Sequence, residues 1–112
     1  MLRKDDIFDS LEILSDKNRQ LGYWFKNDQN VCSSFVETGC LFGGSGIGEL
    51  VEEKRLGDYF SSELSFKLKD FYFLLKEIDA KNLEFKIDHP KMEQMRTEAS
   101  ELLLLLAKEL KR

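Results

Sequence analysis

Apolar residues recur at helical spacing over most of this chain, and one stretch sets the pattern. In residues 61–80, Leu64, Leu68, Phe71, Leu75 and Ile78 follow one another at steps of four, three, four and three, which places them on one face of an α-helix. Lys67, Lys69, Asp70, Lys76, Glu77 and Asp79 fall mostly off that face. Ser61 and Ser62 suit the N-cap, where a serine oxygen accepts from an unpaired N–H of the first turn. Phe66, Tyr72, Phe73 and Leu74 widen the apolar stripe, so this helix is expected to have neighbours on more than one side. Burial of each residue in the main stripe brings about 1.5–3 kcal/mol of gross transfer free energy. Ordering the backbone costs about 1–2 kcal/mol per residue, so the other elements must pack around this helix for it to form.

Residues 5–14 predict a short helix with Ile7, Leu11 and Leu14 on its apolar side and Phe8 beside them, and with Asp5 and Asp6 supplying a cap and favourable charge. Ser15 offers a second cap before a segment in which Leu21, Trp24 and Phe25 share an inner face; the two segments are one helix bent near Ser15, or two helices. Residues 27–30, including Asp28, read as a turn. Ser33 or Ser34 caps a helix over 35–42. The glycine-rich stretch 43–48 is a flexible loop or a tight, closely packed turn. Residues 49–59 favour a short helix stopped at Gly57. In 81–88, Leu83, Phe85 and Ile87 alternate with charged residues; with no partner strand in view, this predicts an extended linker pinned by the three apolar side chains. Pro90 suits the first position of a final helix, lined by Met92, Met95, Ala99, Leu102, Leu106 and Leu110. Leu102, Leu103, Leu104, Leu105 and Leu106 point all round that helix, so its end is either buried on nearly every side or partly a contact surface, a homodimer contact among the options.

Composition agrees with a helical protein. The chain has 112 residues, a single proline and seven glycines, six of them between positions 39 and 57. The expectation is one all-α domain over residues 1–112, a compact bundle of four to six helices with the long helices near 61–80 and 91–110 antiparallel. The net charge is −4, and the acidic excess lies wholly in residues 1–60, which hold 11 Asp/Glu against 7 Lys/Arg, while residues 61–112 hold 10 of each. That balance argues against a nucleic-acid partner, which requires a basic footprint, and fits a basic protein partner. The N-terminal residues lack the apolar core of a signal peptide. The longest apolar run, 102–107, is too short to span a bilayer. A cytoplasmic protein with no membrane association and two free thiols, Cys32 and Cys40, is expected.

No motif brings chemistry of its own. The stretch from Phe42 to Glu49 contains G-x-G but neither the third glycine of a dinucleotide fingerprint nor the GK[ST] of a P-loop, and the glutamates that follow have the wrong sign for phosphate. His89 is the single histidine; directly before Pro90, it reads as a capping or loop residue rather than a catalyst or metal ligand. The cysteine spacing matches neither C-x-x-C redox chemistry nor zinc, and Cys40 reads as a small buried apolar residue. Carboxylate pairs such as Glu49 with Glu53 and Glu98 with Glu101 read as solvated helix faces. Hence no enzyme, cofactor or metal is expected. The segment 43–60 has the most positive content: acidic side chains beside a tyrosine after a glycine-rich loop would suit docking on a basic protein surface. The candidate contacts are Glu49, Glu52, Glu53, Asp58 and Tyr59, with Asp28 a weaker one.

The order of features also resembles a known family. Leu14-Ser15 with Gln20 and Trp24, Phe35-Val36-Glu37, Leu41-Phe42, Ile47-Gly48, a leucine-rich helix, His89-Pro90 and a helix with Arg96 and Ala99 are similar, over about residues 14–106, to small all-helical bacterial proteins without catalytic motifs. Some members of that family are regarded as immunity proteins of polymorphic or contact-dependent growth inhibition toxin systems. This chain departs from the pattern at Gly43-Gly44-Ser45, where acidic residues would be expected, and at Met92, where an aromatic would be. The resemblance implies a toxin-neutralising protein whose partner is a cognate protein toxin, such as a nuclease with a basic cleft. The alternative is a homo-oligomeric helical protein with a structural or regulatory role that uses the Leu102 to Leu106 surface.

Overall fold

The apolar stripe of the central helix is the face that turns inward. A computed structural model describes residues 2–24 and 31–110. Helix α5 (Ser62–Ala80) buries Leu64, Leu68, Phe71, Leu75 and Ile78. The Ser61 hydroxyl caps it, accepting from the Leu64 N–H at 3.3 Å. Helix α6 (Pro90–Leu110) begins at the proline and buries Met92, Met95, Ala99, Leu102 and Leu106. His89 caps α6: its Nδ1 accepts from the Lys91 N–H at 3.0 Å, and its carbonyl accepts from the N–H groups of Met92 and Glu93. Ser61 meets Glu109, Lys67 meets Glu101 and Glu77 meets Lys91. The partners descend along α6 as they ascend along α5, so the two long helices are antiparallel.

Helix α1 (Lys4–Ser15) lies against α6 and against α3 (Val31–Phe42), burying Ile7, Phe8, Leu11 and Leu14. Helix α3 reaches α5 through Phe42 and Phe71, whose rings meet edge to face at 5.3 Å. Those contacts close a ring of four helices around a single core. Trp24, which follows α2 (Lys17–Tyr23), is buried with its ring 5.9 Å from that of Phe35. The fold is an all-α bundle, with no strand among the described residues.

Several local expectations change. The N-cap of α1 falls on Arg3, with Asp5 and Asp6 in the first turn. Helices α1 and α2 are separate, and Asp16 rather than Ser15 caps the second, accepting from the Arg19 N–H at 3.0 Å. The short α2 turns Gln20 and Trp24 inward, four residues apart, which leaves Leu21 exposed. Helix α3 starts at Val31, ahead of the predicted serine caps. The helix after the glycine-rich stretch, α4 (Gly48–Glu52), ends well before Gly57; Lys54 makes the left-handed turn with φ of 58°, and Gly57 sits in a 3-10 turn, Leu56–Asp58. Residues 81–88 are not extended. Asn82, with φ of 54°, turns the chain out of α5 into a 3-10 turn, Leu83–Phe85, which buries Leu83 and Glu84 and leaves Phe85 in solvent. At the end of α6, Leu103 and Leu105 are half-buried against the core, and Leu104 alone of the five leucines is exposed. Phe25, the turn at 27–30 with Asp28, and the Cys32 side chain lie outside the described residues.

Glu84 is a buried carboxyl. Neither carboxylate oxygen has a hydrogen-bond partner of good geometry, and burial, with the charge of Asp79, raises its pKa above the ordinary carboxylate value against the opposing pull of its own backbone N–H. A carboxyl whose pKa is higher folded than unfolded binds more protons in the native state. Stability should therefore fall as the pH rises from the ordinary glutamate range through the raised value, and stay lower above it. Glu84→Gln is expected to raise the melting temperature at pH 7 by about 4 °C or more, the scale on which ~1 kcal/mol moves a domain of this size. The gain should shrink at pH 4. Thermal scans by circular dichroism check it; a lowered melting temperature at pH 7, or the same gain at both pH values, would contradict it.

Candidate functional site

The glycine-rich stretch is a tight turn, and it builds the site. The chain leaves α3 through a π-type turn, Gly43–Ile47, in which Gly46 adopts φ of 112°, a conformation that a side chain would strain. The Arg3 N–H donates to the Ser45 carbonyl at 2.6 Å, and Arg3 Nη2 donates to the Gly44 carbonyl at 2.6 Å. Ser45 and Ile47 are fully buried. A Cβ on Gly48 would lie 3.1 Å from the Gly43 carbonyl oxygen and 3.2 Å from the Tyr72 hydroxyl. A flexible docking loop is thus replaced by a fixed corner, from which α4 and the 3-10 turn Leu56–Asp58 present their side chains.

All five described candidate contacts are exposed, but they do not form one surface. Glu49 and Glu53, one helical turn apart, line a small cleft of 80 Å³ with Arg55 and Tyr59. Tyr59 is 50% exposed there, while its neighbour Phe60 belongs to the core. Arg55 binds Asp58 at 3.1 Å and Glu53 at 3.4 Å. The hydrogen bond to Asp58, with the charge of Glu53, raises the Arg55 pKa above its ordinary value. The corner therefore holds three carboxylates against one guanidinium, less acidic than the sequence count implies. Glu52 faces the other flank of α4. Asp28 lies outside the described residues.

On that other flank the structure opens a surface absent from the sequence reading. A groove of 730 Å³ runs between α4 and α5, with Leu50, Val51 and Leu56 at its base and Phe66, Tyr72 and Phe73 along its wall. Phe66 is 65% exposed and Phe73 49% exposed, so two of the four residues that widen the stripe of α5 face solvent, while Leu74 is buried and Tyr72 half-buried against the core. The signal was present: Phe66, Lys69, Phe73 and Lys76 follow at steps of three, four and three, and a face that mixes phenylalanine with lysine has no neighbour to bury it. Across Phe66 a second groove, between α5 and α6, is lined by Glu63, Asp70, Glu98 and Glu101 with Lys67.

Elsewhere the described residues offer no assembled reactive centre. No group of three or more His, Cys, Asp or Glu among them is placed to hold a metal ion. No helix among the described residues is long and apolar enough to cross a membrane. Cys40, expected to be buried, is exposed and free, on the edge of an apolar hollow beside Val36 and Gly43. Its helix turns Phe35 and Phe42 to the core, which puts position 40 outside. Alkylation of the native protein should therefore label Cys40 within minutes, read by peptide mass mapping. Labelling that appears only on unfolding would contradict this placement.

Comparison of the chain with protein-family models, with curated proteins and with solved structures found no match.

Proposed function

We propose that this chain is a cytoplasmic protein-binding domain that neutralises a cognate protein toxin by covering it, with no catalytic step of its own. The observation that carries the reading is the corner after the glycine turn: an exposed tyrosine beside Glu49 and Glu53, with Asp58 fixed next to it by Arg55. An aromatic side chain on a rigid support is suited to anchor an interface. Carboxylates around it steer a basic partner into place. Arg55 holds Asp58 before the partner arrives, which lowers the ordering cost of association. The resemblance to immunity proteins supplies the class of partner, a toxin domain with a basic cleft such as that of a nuclease.

The test is a titration, at two salt concentrations, with the C-terminal domain of the large secreted protein that this reading expects to be encoded beside this gene; absence of such a neighbour counts against the reading. Binding should silence that domain's activity and weaken as salt rises. Reversing charge at Glu49 and Glu53 should slow association by about tenfold and flatten its salt dependence, while Tyr59→Ala should speed dissociation by about tenfold. Glu52→Lys, on the other flank of α4, should change the association rate far less. Unchanged kinetics in the Glu49 and Glu53 variants would remove the corner from the interface, and absence of binding would remove the neutralisation reading.

A further inference from the structure

The groove beside α5 does not end at Tyr72. It continues past Tyr72 and Lys76, which line both hollows, into the hollow of 430 Å³ that holds Val36 and Cys40 and reaches Asp79. From Phe66 to Asp79 the wall follows thirteen residue steps of α5, about 20 Å of helix. Exposed Phe66 and Phe73 share one hollow and exposed Val36 lines the next, a grouping unlike the single exposed apolar residues that any surface carries.

Charge sets the kind of occupant. In a chain with a net charge of −4, the larger hollow carries Lys54, Lys69 and Lys76 against one carboxylate, Glu52. None of the three lysines is in an ion pair among the described residues, a state they share with Lys4, Lys86 and Lys108, so all three charges are available to an occupant. Lys76 instead lies 4.7 Å over the Tyr72 ring. Three ammonium groups beside exposed aromatic rings call for carboxylates next to apolar side chains. The described residues contain no strand whose edge could pair with an incoming main chain. Side-chain anchoring of a helix in a groove is the mode left, and the 19-residue length of α5 matches it.

We propose that this trough binds an amphipathic helix of about 13 residues from a partner protein, apolar at i, i+3, i+4 and i+7 and acidic alongside. Its apolar side chains seat among Phe66, Tyr72 and Phe73, and its carboxylates reach Lys54, Lys69 and Lys76. The site lies across α4 from the Glu49 and Tyr59 corner and stands or falls independently of the toxin reading.

The probe is a synthetic helical peptide of about 14 residues, with Leu and Phe at those positions and Glu elsewhere, against a twin in which every Glu is Lys. The acidic peptide should bind saturably, at least about tenfold more tightly than its twin by fluorescence anisotropy, and should slow alkylation of Cys40 in a Cys32→Ser background. Lys69→Glu with Lys76→Glu should invert the preference. Phe73→Ser should weaken the acidic peptide by about tenfold at an unchanged melting temperature. Absence of saturable binding, equal binding of the twins, or a preference that survives the charge reversal would overturn the proposal. So would a dimer that shields Cys40 without peptide, since a second copy would then be the occupant.

Discussion

A buried guanidinium sets the arrangement of the helices. Arg96, 5% exposed near the start of α6, donates to Gln20 Oε1 at 3.0 Å, to the Ile87 carbonyl at 2.7 Å and to Glu93 at 2.5 Å. Gln20 is fully buried and passes the connection on. Its amide donates to the carbonyls of Ile13 and Leu14 at 3.0 and 3.1 Å at the end of α1, where Ile13 also accepts from the Asp16 N–H at 3.3 Å. One charge thus ties the end of α1, Gln20 of α2, the approach to α6 and α6 itself. A charge taken out of water is costly unless its hydrogen bonds are met. Other arrangements of these four segments would strand Arg96 or the Leu14 carbonyl, so the junction acts against them as much as for the native one.

With that end fixed, the surfaces follow. α6 lies between α1 and α5, and Glu77 bridges α5 to Lys91 at the start of α6, a contact that lowers the Glu77 pKa. Lys17 of α2 reaches Asp88 in the same connector, lowering the Asp88 pKa in turn. α5 then turns one flank to the core and leaves the other to α4 and solvent. The glycine turn, held by Arg3 and pressed against Tyr72, decides how α4 meets that flank. Two surfaces of opposite sign arise on the two sides of a helix of five residues. On one side are the carboxylates around Tyr59; on the other, the aromatic trough with its lysines.

Much of this was legible in local pattern. The spacing of Leu64, Leu68, Phe71, Leu75 and Ile78 identified the core face of α5, because a face repeated over four turns leaves little ambiguity. Ser61 and Pro90 marked helix starts for reasons that act within a few residues. Glu49 and Glu53 could be brought together from their spacing alone. What failed depended on distant neighbours. Alternation at Leu83, Phe85 and Ile87 had no second strand to pair with, so the chain took a turn instead. Cys40 and Leu21 are apolar enough for a core but sit on the outer sides of helices whose inner sides were already filled. Charge counting saw the acidic corner without the Arg55 that offsets it. The Arg96 and Gln20 contact joins residues 76 apart, beyond the reach of any periodicity.

A double-mutant cycle on Gln20 and Arg96, followed by urea unfolding, tests most directly whether this junction carries the fold. Gln20→Leu and Arg96→Met keep side-chain volume while removing the polar partners. If the junction acts as described, each single change costs about 2 kcal/mol or more, since each strands buried groups. The double change then costs less than the sum by at least about 1 kcal/mol. Costs that add to within about 0.5 kcal/mol, or an Arg96→Met protein as stable as the parent, would contradict it.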